Sequence, residues 1–470
     1  EESIEAYTKA LSIKPDYAEA HYNMGNALKD QGKLNEAIEA YTKALSIKPD
    51  LAEAHYNMGN ALKNQAKLDE AIEAYTKALS IKPDYSSAYN NLGNALKDQG
   101  DLDKALEAYT KALSIKPDYA NAYSNMGITF KDQGDLDKAI EAYRKVLSIK
   151  PDFAEGHENL SLVLLNSGKL KEGLDEYEWR WKTAKRVSIN RHFSKPLWDG
   201  KESLKGKKIL LWSEQGVGDT INWSSGLSYV ASTAEHCILE CQKKLVPLLA
   251  RSLPNIDVKP ENRSLDAQRD DFDFHLPMGS LYRHFISEVS QVSKAEAFLI
   301  PDPVRIKFWR DRLNSLGNGP YIGISWKSSN MSSERIHNYA PISEFSPVLN
   351  IPGATFINLQ YSDFENDLTK IKDELGVKVH NFDDLDQFEN LEDVAALSAA
   401  LDIVVSTHNV VIMIAPWVGT PTKFASWRQS PYNNVLLAPR GPSLDTFERN
   451  TWEPWENIFR SIAKDIIDNF

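Results

Sequence analysis

The sequence predicts a helical solenoid followed by an α/β half, and two observations carry that prediction. A Lys-Pro-Asp triplet recurs every 34 residues through the first third of the chain. After residue 200, short apolar runs alternate with helical stretches instead. At 470 residues the chain exceeds what a single hydrophobic core usually holds, so two or three domains are expected.

The triplet's prolines are Pro15, Pro49, Pro83, Pro117 and Pro151. A fixed period of this length marks stacked supersecondary units. In the unit 18–51, Gly25 allows two helices to approach closely, Ala37 and Ala44 are the small knobs of the second helix, and Tyr41 fills the gap between them. Pro49 ends the second helix, since its ring cannot continue the hydrogen-bond ladder. Four whole units run 18–51, 52–85, 86–119 and 120–153. The pattern resembles the tetratricopeptide repeat, which implies a superhelix and a protein or peptide partner in its groove. Residues 1–12 match only the second helix of a unit, so the array starts mid-repeat; a solenoid end normally needs a polar cap, and a longer array is expected. In the degenerate closing unit Gly173 and Arg180 stand where alanines belong. The expected organisation is a repeat array over 1–153, a last repeat and connecting helix over 154–196, and two α/β lobes over 197–303 and 304–470.

Asn23, Asn57, Asn91, Asn125 and Asn159 occupy one position on the first helix of successive units. Asparagine is a weak helix former, so propensity does not place it there. A side-chain amide offers both donor and acceptor, which suits gripping an extended peptide backbone. The row resembles the asparagine ladder of O-linked N-acetylglucosamine transferases, and the resemblance implies partner binding. Duplication of near-identical units copies the same residues without any such use, and the sequence leaves both accounts open.

Composition narrows the partners. The chain is 42% hydrophobic and 26% charged, with no apolar opening segment and no run approaching a membrane span. A formal net charge of −12 argues against nucleic acid and anionic membrane as partners. Cys237 and Cys241, at the ends of one expected strand, are too far apart to bridge. These features together read as a reduced, cytoplasmic protein.

In the second half the apolar runs are 208–213, 237–241 and 272–276. A proline-rich joint follows at Ile300-Pro301-Asp302-Pro303, and then come 321–326, 355–360, 377–381, 403–407 and 423–426. Strands alternating with helices predict parallel, doubly wound sheets. Two sets around a proline joint predict two lobes with a ligand cleft at the strands' carboxyl ends.

The first run leads into Glu214-Gln215-Gly216-Val217-Gly218-Asp219-Thr220, where two glycines permit a tight turn and Asp219 starts a helix facing the cleft; a Rossmann-like turn or a plain N-cap aspartate has the same letters. With Tyr177-Glu178-Trp179-Arg180-Trp181 and Trp198-Asp199-Gly200 before it, this segment resembles repeat proteins whose C-terminal half is heptosyltransferase-like (glycosyltransferase family nine). Gly323-Ile324-Ser325-Trp326-Lys327-Ser328, Ile357-Asn358-Leu359-Gln360-Tyr361 and Leu401-Asp402-Ile403-Val404-Val405 continue the match to the C-terminus. The resemblance implies two Rossmann-like lobes of GT-B type. It also implies inverting, metal-independent, hexosyl- or heptosyltransferase-like transfer from a nucleotide sugar. Asp219 becomes the base for the acceptor hydroxyl, as such a transfer needs. The leaving diphosphate needs cations and backbone amides. Lys327 and Arg335 are candidate cations or, alternatively, solvated loop charges.

The sequence also departs from that family. After the 403–407 run the family usually carries Asp-Thr-Ala-x-x-His, whereas here the positions read His408-Asn409-Val410-Val411-Ile412-Met413. Asn409 can still cap a helix and His408 can donate to phosphate. Asn338 stands where a basic residue usually precedes Pro341. Trp427 is either a base-stacking ring or a buried core tryptophan. Asp271-Phe272-Asp273 mimics a metal-binding Asp-x-Asp at the start of a strand; no metal or other cofactor is expected, the nucleotide sugar being a substrate. The alternative to an enzyme is an inactive lobe pair supporting a protein-interaction scaffold.

Overall fold

The computed structural model describes residues 2–285, 296–328, 338–427, 441–450 and 453–469. The chain forms two compact units, Glu1–Gly156 and His157–Phe470.

In the first unit a lone helix, Glu2–Ile13, precedes four helix pairs: Ala18–Asp30 with Leu34–Ile47, Ala52–Asn64 with Leu68–Ile81, Ser86–Gln99 with Leu102–Ile115, and Ala120–Gln133 with Leu136–Ile149. The repeat's glycine sets the distance within each pair. A Cβ at Gly25, Gly59 or Gly93 would lie 2.6, 2.7 or 2.5 Å from the ring of Tyr41, Tyr75 or Tyr109. Those rings are fully buried and have nowhere to move. Ala37, Ala44 and their counterparts in later units are equally buried. The turn after each first helix needs left-handed backbone, supplied by Gly32, Gly100 and Gly134 at φ of 75°, 95° and 83°. The equivalent place in the second repeat is held by Ala66 at φ 59°.

The second unit contains two sheets. One has the order β3-β2-β1-β4, with β1 (Lys208–Trp212), β2 (His236–Cys241), β3 (Asp257–Pro260) and β4 (Phe274–Pro277). The other has the order β10-β9-β8-β5-β6-β7, with β5 (Tyr321–Ser325), β6 (Thr355–Asn358), β7 (Val379–His380), β8 (Ile403–Ser406), β9 (Thr422–Trp427) and β10 (Leu444–Arg449). Every pairing among them is parallel. Central strands such as β1, β5 and β8 read as unbroken apolar runs because both faces are covered. All eight expected runs meet a strand. β3 and β10 have no apolar run to announce them: both are edge strands with exposed charged residues.

The two sheets share one apolar core. Ile209, Leu211, Leu239 and Leu276 from the first sheet pack in the same cluster as Leu391, Ile412, Met413, Trp417 and Phe424 from the second sheet and its helices. Cys237 and Cys241 are free and buried on β2, and burial pushes both thiols up to about 12. Among the described residues no helix is long and apolar enough to cross a membrane.

Candidate functional site

In a parallel sheet, ligands bind beyond the carboxyl ends of the strands, where the strand order reverses. In the first sheet that point lies between β1 and β4; in the second it lies between β5 and β8. Both open on one cavity of about 620 Å³. The segment 214–219 after β1 forms one wall. Ser328 after β5, Tyr361 after β6 and His408–Val410 after β8 form the opposite one, with Gln387, Phe388 and Leu391 beside them.

A buried ion pair fixes the first wall. Arg180 is fully buried, and its Nε and Nη2 donate to the Glu214 carboxylate at 3.1 and 2.9 Å. Nη2 also donates to Ser280 Oγ, and Nη1 donates to Tyr177 O and Glu178 Oε1. The Gly279 N–H donates to Glu214 from the other side at 2.9 Å. The arginine that breaks the alanine pattern of the last repeat therefore anchors the segment that carries Asp219. Gln215 donates to Tyr177 Oη at 2.6 Å, and Gln242 donates to Gln215 O at 2.7 Å. The helix Val217–Ser224 then begins, with the half-buried Asp219 in its first turn and on the cavity wall. The two glycines have different tasks from the tight turn expected of them. Gly216 has φ −70°, which any residue adopts. Gly218 packs closely instead, since a Cβ there would lie 3.1 Å from Met413 Cγ and that side chain would have to shift by a few tenths of an ångström.

On the opposite wall, Asn409 is buried and bridges two strand ends. Its Nδ2 donates to Ser325 Oγ at 2.8 Å, and its Oδ1 accepts from the Val411 N–H at 2.9 Å, at the start of Val411–Ile414. His408 is buried beside it and also lines the cavity. Asp219, His408 and Asn409 thus share one site. Lys327 and Trp427 stand away from it. Lys327 Nζ donates to Asp363 O and Asp367 Oδ2 at 2.7 and 2.8 Å. Trp427 is buried, and its Nε1 donates to Asn338 at 2.7 Å, so Asn338 holds a tryptophan where a basic residue was expected. Arg335 lies outside the described residues. Arg186, Lys244, Gln387 and Phe388 line the cavity without having stood out in the sequence, because nothing in their local spacing marks them. Lys244 Nζ donates to Phe388 O at 2.7 Å and sits 3.8 Å from the Phe388 ring centroid.

The Asp-x-Asp carboxylates are engaged elsewhere. Asp271 accepts from Arg269 at 2.9 and 2.8 Å, which holds its carboxyl below the usual range, and Asp273 accepts from the Lys208 N–H at 2.8 Å.

The asparagine row is half-buried and hydrogen-bonded from repeat to repeat. Asn57 Nδ2 donates to Tyr22 Oη and Asn26 Oδ1 at 3.1 and 2.9 Å, and Asn91 Nδ2 donates to Tyr56 Oη and Asn60 Oδ1 at 3.0 and 2.8 Å. Asn125 Nδ2 donates to Asn90 Oδ1 at 2.9 Å. Both amide hydrogens of Asn57 and Asn91 are therefore engaged inside the array. Asn23 and Asn159 are half-buried at the same helix position.

Comparison with known proteins finds tetratricopeptide repeats through the first 184 residues. One family described as TPR repeat matches residues 1–32 and 25–66. Two described as Tetratricopeptide repeat match 50–118 and 84–152, and 125–184. The chain is 32% identical over 289 residues to Protein FlbA of Caulobacter vibrioides, covering 58% of this chain and 48% of that protein. It thus spans about half the length of the curated relative it matches. Among solved structures it is similar to MamA, at 27% identity, a TM-score of 0.33, and coverage of 36% of this chain and 98% of that one. It is also similar to YrrB, described as a TPR protein with an unusual peptide-binding site, at 23% identity, a TM-score of 0.34, and coverage of 38% and 92%. The first part of the chain is thus a tetratricopeptide solenoid, a protein-interaction module, and the rest is α/β with parallel sheets.

Proposed function

We propose that this chain is a repeat-containing glycosyltransferase-like protein that moves a sugar from a nucleotide donor to an acceptor recruited by the repeats. One observation carries the reading: the loops at the reversal points of both parallel sheets meet on a single cavity, which Asp219, His408 and Asn409 all line. Asp219 takes the proton of the acceptor hydroxyl as it attacks the anomeric carbon. His408 and the backbone following Asn409 receive the leaving diphosphate. The lobes 197–303 and 304–470 then divide acceptor and donor between them, and no metal takes part.

A panel of nucleotide sugars read by thermal shift tests this. Saturation at ~100 times the dissociation constant adds about 2.7 kcal/mol of stability. With the donor found, Asp219→Asn lowers turnover by roughly 100- to 10,000-fold and leaves donor affinity nearly unchanged. Unchanged turnover removes Asp219 as the base. The second reading, an inactive scaffold, gains from Lys327 being held by Asp367 rather than facing the cavity; a wild type that no nucleotide shifts decides for it.

A further inference from the structure

We infer that Arg186 is the residue that receives an oxyanion, a phosphate or carboxylate group of the ligand, in this cavity. The inference rests on the cavity just assigned and adds the chemistry of one of its walls. Arg186 lines that cavity, half-buried, and its Nε is buried with no hydrogen-bond partner among the described residues. Other arginines of this unit hold carboxylates. Arg180 is paired with Glu214 and Glu178, Arg191 with Glu240 and Asp266, and Arg269 with Glu240 and Asp271. Arg251, Arg305, Arg310 and Arg312 each have an acidic partner as well. Arg186 has no ion pair among the described residues.

Leaving a guanidinium half out of water without a partner is unfavourable unless something else neutralises it. Its planar fork suits two oxygens of a phosphate or carboxylate. The neighbouring charges leave the task to it. Lys244, the other strong cation on the wall, is held by Phe388 O and Glu389. Lys327 is held by Asp367 outside the cavity. Glu214 is neutralised by Arg180, so it does not compete for Arg186. The donor's diphosphate and an acidic group on the acceptor present the same chemistry to this residue.

The test titrates the full chain with uridine and adenosine diphosphates, their nucleosides, inorganic pyrophosphate and succinate, each followed by calorimetry. Arg186→Gln is expected to weaken diphosphate binding at least tenfold while leaving nucleoside binding as it was, and Arg186→Lys is expected to restore part of the loss. Should only succinate bind, and lose its affinity in Arg186→Gln, the oxyanion belongs to the acceptor and the role of Arg186 stands. If pyrophosphate binds through Arg186 but no nucleotide improves on it, Arg186 keeps its role and the nucleotide-sugar reading falls. The inference is overturned if Arg186→Gln, folded by its tryptophan fluorescence, binds every probe like the wild type. It is equally overturned if no oxyanion binds the wild type. If the glutamine variant does not fold, Arg186→Lys decides: a partial loss of diphosphate or succinate affinity with nucleoside binding unchanged supports the inference, and a folded variant that binds every probe like the wild type, or loses only nucleoside binding, refutes it.

Discussion

Replacing Arg180 by methionine isolates the ion pair that holds the Asp219 segment. Methionine keeps the unbranched stem but ends level with Nε, so the guanidinium's cover of the Tyr177 and Trp181 rings, at 4.3 and 4.7 Å, is lost in the single and double variants alike. Five hydrogen bonds disappear, two of them to Glu214. The Glu214 carboxylate stays fully buried and, among the described residues, keeps the Gly279 N–H alone to solvate it. Breaking a buried pair on one side costs about 3–5 kcal/mol, far more than the pair's net worth, because a lone charge is left behind. The readout is unusually clean. All eleven tryptophans lie at or beyond Trp179, so tryptophan fluorescence follows the unfolding of the second unit alone. Its denaturant midpoint is expected to fall accordingly. Arg180→Met combined with Glu214→Gln removes both charges and keeps an acceptor for Gly279, so it should recover most of the loss. A single variant that loses less than about 1 kcal/mol, or a double variant no better than the single, refutes the reasoning.

Other expected outcomes follow from the same packing. Asn57→Ala removes two hydrogen bonds between repeats and should cost roughly 1–2 kcal/mol, read as a lower melting temperature of the helical circular-dichroism signal; an unchanged melt would free the asparagines for partner binding alone. Ala66→Gly relieves an exposed left-handed alanine and should stabilise the array, by about 0.5–1 kcal/mol once the greater freedom of unfolded glycine is counted. His275 is buried and accepts from Trp212 Nε1, and burial lowers its pKa from 6.5 to about 4. Between those values the unfolded chain binds the extra proton, so stability falls as pH drops from 6.5 towards 4. In His275→Gln that part of the slope should be missing from the fluorescence-detected denaturation curves.

The repeat array was legible almost residue by residue because each unit repeats one local solution: Gly25, Ala37 and Tyr41 state the packing distance in three letters. What the asparagines do was not legible. Their partners, Tyr22 and Asn26, lie one repeat earlier, and only the stacked helices reveal that Asn57 reaches them. In the α/β unit, buried strands announced themselves as apolar runs, while β3 and β10 at the edges carry the charged pattern of a loop. At the cavity, Asp219, His408 and Asn409 could be found because each sits beside a strand end with its own local signature. Lys327 has the same kind of address, but its ammonium answers to Asp367, on a helix forty residues away in sequence. Arg180 was read as a flaw in a repeat and as one letter of the Tyr177–Trp181 motif, but never as half of an ion pair, since its partner Glu214 follows 34 residues later in a different kind of structure.

The apolar cluster common to both sheets sets how a ligand can come and go. A two-jawed enzyme that swings open must have a wettable seam, and here Leu391, Ile412, Met413, Trp417 and Phe424 would be dragged into water with their partners. Each such side chain resists by about 1.5–3 kcal/mol, so a few of them already exceed the roughly 5.5 kcal/mol of differential affinity that drives a full population shift. The molecule is therefore built as a slot rather than a mouth. On the proposed function, a nucleotide sugar is sorted by whether it fits this gap before any charge takes hold of it. For the same reason a cut at the proline joint around Pro301 would leave two greasy halves, not two independent modules.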